Sequence, residues 1–205
     1  MDAVILWRPW SADGAGDGAP AGWPAPRTEG LHIDQNPFSK PGLDCVQGMM
    51  PLLPVTASTG GLAVVPGSHT DEAKAVFKQR YARMEHQGDW CPLDSGDPIE
   101  RDSVLLLADA GDLILWDSRT VHGGVVGTGQ PSPFTEMARM SVTVAMTPAA
   151  LASDAVRQRR REGFAAGRSF NHCPHEAGTS SGTIKASRKA GYGAFELSPE
   201  QLALL

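Results

Sequence analysis

The chain has 205 residues, 41% of them hydrophobic and 20% charged, enough for one globular domain with a sizeable core. Its 23 acidic residues outnumber its 18 Lys and Arg, and the formal net charge of -5 argues against nucleic acid as a partner, because phosphate binding needs concentrated basic side chains. Three scattered cysteines, Cys45, Cys91 and Cys173, with no CxxC pair, fit a reducing compartment better than a disulfide framework, so a cytoplasmic location is expected.

The opening MDAVILWRPW carries an apolar run too short for a signal peptide, and no membrane span is expected. Residues 11–27, SADGAGDGAPAGWPAPR, are rich in Gly, Ala and Pro without a hydrophobic period, and residues 1–30 are predicted to be a largely irregular amino-terminal segment. Order begins near Leu31. Short apolar runs then follow at 44–53, 61–66, 103–107, 112–117, 121–126 and 139–146. Their length, their Val content and the intervening Gly and Pro predict strands, and so many strands without regular intervening helices predict a sandwich or barrel.

Helical signals occupy the gaps. Residues 68–84, SHTDEAKAVFKQRYARM, open with capping residues and space Ala73, Val76, Phe77 and Tyr81 at helical intervals. Residues 147–167 put a Pro in the first turn and a Gly just past the last, and their RQRRR run (157–161) reads as the solvated face of that helix. Residues 84–102 form a long loop able to overhang a site. The folded domain is placed at 31–175, and 176–205 are expected to be a flexible tail ending in a short helix around SPEQLALL.

LHIDQNP (31–37) puts a histidine and a carboxylate on one face of a short strand, with Leu31 and Ile33 on the other. A polar surface strand would look the same. A two-histidine, one-carboxylate face is the pattern for non-haem Fe(II), with three positions left for a co-substrate and oxygen. Of His69, His86, His122, His172 and His175, the best placed second histidine is His122, which follows an apolar strand and precedes a Gly pair that lets a ligand approach the backbone. The alternative is a structural histidine held by a core hydrogen bond.

Arg139 opens the apolar strand RMSVTVAM, where its fork of donors needs a partner. Two partners are open: the far carboxylate of a dicarboxylate such as 2-oxoglutarate, with Ser141 adding a hydroxyl from the same face, or a structural carboxylate such as Asp112 or Asp117. Trp116, Arg119 and the 84–102 loop are candidates for the substrate side, against core packing for the tryptophan and a surface ion pair for the arginine. His172, Cys173 and His175 have a spacing that could ligate zinc but lack a second ligand cluster. His69 reads as a capping or loop residue and Cys45 as a small core residue.

LHIDQNP, GGLAVVPGSH, GDLILWDSRTVHGG and RMSV, in that order, resemble the phytanoyl-CoA dioxygenase family of Fe(II)- and 2-oxoglutarate-dependent oxygenases over about residues 31–147. The resemblance implies a mainly β fold, a double-stranded β-helix of jelly-roll or cupin-like type with flanking α-helices. It implies His32, Asp34 and His122 as the catalytic iron ligands, Arg139 with Ser141 at the distal carboxylate of 2-oxoglutarate, and Gln47 as a further polar contact to that co-substrate. The implied cofactors are Fe(II), 2-oxoglutarate and O2. The implied reaction is hydroxylation of an unactivated carbon in a small-molecule or lipid-like substrate with release of succinate and CO2. Asp34 is intact where related halogenases carry a small residue, which favours hydroxylation over halogenation. A cupin-like metalloenzyme that does not use 2-oxoglutarate, and a non-catalytic jelly-roll binding module, are the other readings.

Overall fold

Two antiparallel sheets face each other across the candidate site. In the computed structural model, which describes residues 3–10, 25–129, 137–166, 168–180 and 197–203, the first sheet has the order β1 (Val4–Trp7), β9 (Arg139–Met146), β3 (Val46–Pro51), β7 (Ile114–Asp117). The second has the order β5 (Cys91–Pro92), β2 (His32–Ile33), β8 (His122–Val126), β4 (Gly60–Val64), β6 (Val104–Leu105), and β10 (Ser169–Phe170) pairs with β11 (Thr179–Ser180) as a separate hairpin. The chain crosses from sheet to sheet between β1 and β2, β2 and β3, β3 and β4, β6 and β7, β7 and β8, and β8 and β9. That wiring makes the mainly β fold a double-stranded β-helix.

The hydrophobic core lies on the outer side of the second sheet. Ile33, Leu31, Val121, Val65 and Cys91 pack there against Phe77, Tyr81 and Met84 of the helical segment above. Burial of each large apolar side chain in such a cluster contributes about 1.5–3 kcal/mol. The covering helix, α1 (Asp71–Arg80), starts at Thr70, whose side chain accepts the Ala73 N–H, and it carries Asp71 and Glu72 in its first turn and Lys78 and Arg80 in its last. His69 stands one residue before that cap. The buried stripe of α1 is Lys74 and Phe77, continued by Tyr81, whereas Val76 is 56% exposed. Residues 74, 77 and 81 stack at helical spacing, and Val76, one position away, turns outward.

Several boundaries differ from the sequence expectation for local reasons. Helix α2 (Asp154–Ala165) begins at Ser153, whose hydroxyl accepts the Val156 N–H, and Ala149–Leu151 form a separate 3-10 turn after Pro148. In the RQRRR run Arg160 leaves the solvated face and rests 4.4 Å from the Phe170 ring. The 84–102 loop contains the edge strand β5, paired with β2, and a 3-10 turn at Pro98–Asp102. Strand β1 is an element the sequence did not signal; its Trp7 pairs with Arg139 of β9. A short helix, α3 (Pro199–Ala203), lies where one was expected. The rest of the expected irregular and flexible stretches, 11–24 and 181–196, falls outside the described residues. Among the described residues, no helix is long and apolar enough to cross a membrane.

Asp97 ties α1 to the loop beneath it, accepting from the Tyr81 hydroxyl at 2.5 Å, the Arg80 guanidinium at 2.6 Å and the Ile99 N–H at 2.9 Å. Burial opposes its ionisation, but these donors outweigh burial and hold the carboxyl below its ordinary value of 3.8. A depressed carboxylate stabilises the fold above its unfolded pKa, and that contribution is lost as pH falls through the folded one. Asp97→Asn is therefore expected to cost about 2 kcal/mol at neutral pH, with the gap to wild type closing as denaturation midpoints are measured below pH 3.8.

Candidate active site

Strand alternation sends Ile33 into the core and its neighbours His32 and Asp34 to the opposite side, into the space between the sheets. β8 does the same with core Val121 and cavity-facing His122, and the β2–β8 register sets His32 directly opposite His122. The two imidazoles lie 4.6 Å apart between centroids. Gly123 permits this close fit, because a Cβ there would stand 2.3 Å from the Gly30 carbonyl oxygen.

Each imidazole is oriented by its own backbone. His32 Nδ1 lies 3.0 Å from the Gly30 carbonyl and His122 Nδ1 2.9 Å from the Thr120 carbonyl. Carbonyls only accept, so each Nδ1 carries the proton and each Nε2 keeps a lone pair. Those Nε2 atoms stand 3.7 Å from Asp34 Oδ1 and 3.4 Å from Asp34 Oδ2 respectively. One ligand atom from each of the three residues fits within 4.8 Å of the others, a set that could hold a metal ion.

Asp34 is almost fully buried, and burial alone would raise its pKa. The neighbouring imidazoles of His122, His172 and His32 reverse this and hold the carboxyl well below its ordinary value. Gln47 Nε2 also donates to Asp34 Oδ2 at 2.7 Å. Burial, then His122, lowers the pKa of His32, so its ring stays neutral and available to a metal at neutral pH.

Across the cavity Arg139 is 4% exposed and pushed down to about 10 by burial, so it remains a cation at neutral pH. Its Nη2 donates to the Met49 thioether at 3.2 Å, and its guanidinium lies 4.6 Å from the Trp7 ring. Among the described residues no carboxylate pairs with it, and its Nε has no hydrogen-bond partner. The structural alternatives are otherwise engaged: Asp117 pairs with Arg119, and Asp112 accepts the Asp109 N–H. Ser141 shares the strand face of Arg139, is fully buried, and has an unpartnered hydroxyl.

The cavity, about 800 Å³ with its open mouth, takes in His32, Asp34, His122, Gln47 and Arg139 together. Ser141 is not on its wall. Trp116 is, with its ring 5.3 Å from that of His122, whereas Arg119 is held away by Asp117 and the Pro41 carbonyl. The 84–102 loop reaches the mouth through Trp90, which is 49% exposed and tilted toward His32.

His172 also lines the cavity, with Nε2 3.9 Å from Asp34 Oδ2. Its neighbours in the NHCPH run go elsewhere: Cys173 to Lys40 and Asp89, His175 to the Thr147 hydroxyl. Those separate partners leave no shared zinc site for the three. Cys45 is buried, and its thiol donates to the His172 carbonyl at 3.0 Å.

The sequence matches the family model of phytanoyl-CoA dioxygenase (PhyH) over residues 23–126. The chain belongs to this family. The matched stretch holds His32, Asp34, Gln47 and His122, and Arg139 and Ser141 lie beyond it. The chain is 30% identical over 159 residues to Ava biosynthesis cluster protein O of Aspergillus versicolor, covering 70% of this chain and 48% of that protein. It thus spans about half the length of this curated relative. Among solved structures it is similar to the non-heme alpha ketoglutarate dependent epimerase SnoN from nogalamycin biosynthesis, at 19% identity and TM-score 0.41, over 71% of this chain and 45% of that one. It is also similar to EctD from S. alaskensis, solved with 2-oxoglutarate and 5-hydroxyectoine, at 17% identity and TM-score 0.38, over 73% of this chain and 46% of that one.

The Gln47 contact tests the metal fit directly. In Gln47→Leu the affinity for Co(II), read by titration calorimetry, is expected to fall roughly 10- to 100-fold, as when outer hydrogen bonds to ligands are removed. Far-ultraviolet circular dichroism is expected to stay unchanged.

Proposed function

We propose that the chain carries the catalytic centre of an Fe(II)- and 2-oxoglutarate-dependent oxygenase that hydroxylates an unactivated carbon of a small molecule. The observation that carries this reading is Arg139, a buried cation without a carboxylate partner among the described residues, on the wall of the cavity that also contains His32, Asp34 and His122. An unpaired buried charge is costly to the fold and suits the binding of an anion. Family membership supports the same conclusion.

In this reading His32, Asp34 and His122 hold the metal through Nε2, a carboxylate oxygen and Nε2. When bound, iron and 2-oxoglutarate supply the oxidation of substrate by O2 that is coupled to formation of succinate and CO2. The chain's share is placement. Gly30 and Thr120 carbonyls fix the two imidazoles, and Gln47 fixes the carboxylate. Gln47 thus acts on Asp34 through Nε2, and its unpartnered Oε1 is left for the co-substrate contact that the family resemblance implies. Arg139 receives the far carboxylate of the co-acid from deeper between the sheets. Ser141, on the same strand face, supports that end of the site with a hydroxyl still free to bond. Trp90, Trp116 and Leu62 give the remaining wall an apolar surface that seats a substrate and displaces water.

Anaerobic addition of Fe(II) and then 2-oxoglutarate is expected to produce a visible charge-transfer band. In Arg139→Ala the 2-oxoglutarate concentration needed for half the band should rise roughly 10- to 100-fold, the loss of one charged hydrogen-bonding partner. Failure of wild type to give the band would favour a metalloenzyme that does not use 2-oxoglutarate or a binding module. A band unchanged in Arg139→Ala would remove the arginine from the co-substrate site.

A further inference from the structure

A second cluster lies outside the cavity, where three distant segments meet. Lys40 Nζ stands 2.6 Å from Asp89 Oδ2, 2.5 Å from Glu176 Oε1 and 3.4 Å from Cys173 Sγ, and Cys173 Sγ stands 3.4 Å from Asp89 Oδ2. Asp89, Cys173 and Glu176 have a spacing that could hold a metal ion, but the Lys40 ammonium already supplies the positive charge there. Cys173 is 1% exposed, and all three cysteines are free. The group presented to its sulfur is therefore the Lys40 ammonium.

We propose that Lys40 and Cys173 are a site of oxidative modification, at which dioxygen joins Nζ to Sγ through one bridging oxygen atom. The two atoms face each other at 3.4 Å, near van der Waals contact, so that a small approach of the flexible lysine end lets one oxygen bridge them. In the balanced step one thiol, one ammonium and one dioxygen give the S–O–N(H) link, one water and one proton. The S–H bond and two of the three N–H bonds of the ammonium are broken; two of the hydrogens leave in the water and the third is the released proton. Sulfur and nitrogen each lose two electrons, and dioxygen takes up all four. One oxygen atom stays as the bridge, and the other leaves as water. Asp89 accepts from both the thiol and the ammonium and is placed to carry the released proton away. Burial and then the Asp89 charge push the Cys173 thiol up to about 12, which keeps it from acting as a free thiolate toward other disulfides or electrophiles.

The link would join the loop after the His32–Asp34 strand to the segment that carries His172. Gln35 Nε2 already donates to the Lys40 carbonyl at 2.8 Å, and His172 is the residue before Cys173. The cross-link fixes the cavity wall on which His172 stands. This inference is independent of the oxygenase reading, since neither metal nor co-acid takes part.

The full chain, purified under reductant and kept with a metal chelator, is compared by intact mass and peptide mapping before and after exposure to air. The expected result is a mass gain of one oxygen less two hydrogens, with the Lys40 and Cys173 peptides joined, and full reversal by dithiothreitol. Lys40→Arg keeps a cation between Asp89 and Glu176 and is expected to abolish the gain, as is Cys173→Ser. Separate Lys40 and Cys173 peptides after exposure, with Cys173 fully open to alkylation on unfolding, would overturn the proposal. So would the same mass gain in Lys40→Arg, which would place the oxygen elsewhere.

Discussion

The register between β2 and β8 is the constraint on which the rest of the site depends. With His32 opposite His122, both imidazoles share one face of the second sheet while Ile33 and Val121 share the other. A slip of one residue would turn the imidazoles into the core and the two aliphatic side chains into the cavity. Ile33 and Val121 are both essentially inaccessible to solvent, so each would forfeit about 1.5–3 kcal/mol of burial. The hydrophobic cluster beneath α1 therefore sets the geometry of polar groups it never touches.

Charge is distributed on that frame in a way folding alone does not require. Asp34 stays anionic because Gln47 of β3 donates to it and polar imidazoles stand close by, His122 of β8 at 3.4 Å and His172 of the carboxy-terminal segment at 3.9 Å. Arg139 has no such compensation among the described residues; an aromatic face and a thioether are its neighbours. The buried Asp97 carboxylate, by contrast, is met by the Arg80 guanidinium and the Tyr81 hydroxyl. A buried cation left with soft neighbours is more simply explained by binding than by stability.

Much of this was legible in the sequence, for identifiable reasons. Alternation in LHID places two polar groups together whatever the tertiary context, and the strands at 44–53, 112–117, 121–126 and 139–146 announce themselves by Val content and turn residues. Other features depend on contacts that pattern cannot encode. Val4–Trp7 is a strand only because β9 offers an edge to pair with, and Val76 is exposed because Lys74, a charged residue, lies on the buried stripe. The first sheet also inverts the usual rule. Gln47, Arg139 and Ser141 turn inward, while Val4, Leu6, Met50, Leu115 and Met146 are exposed among the described residues. A reading that sends apolar residues to the core assigns those strands correctly and their faces wrongly. Trp90 and His172 had no local signal, since each reaches the cavity from a segment whose path is set by long-range pairing.

That pairing explains why the carboxy-terminal segment belongs to the site. Three independent contacts hold it: the Cys45 thiol on the His172 carbonyl, the Lys40 ammonium between Asp89 and Glu176, and the Arg160 guanidinium over Phe170. The Lys40–Cys173 contact alone joins residues 133 apart in the chain. Closing so long a loop costs little more entropy than closing a much shorter one, because the cost grows only with the logarithm of length. Once the ion pairs and the cation–ring contact are made, the segment has few ways to move, and His172 is held beside Asp34 by anchors that lie outside the cavity. Substitutions that reshape the cavity wall can therefore sit at Lys40, Asp89 or Arg160, none of which faces the candidate metal ligands.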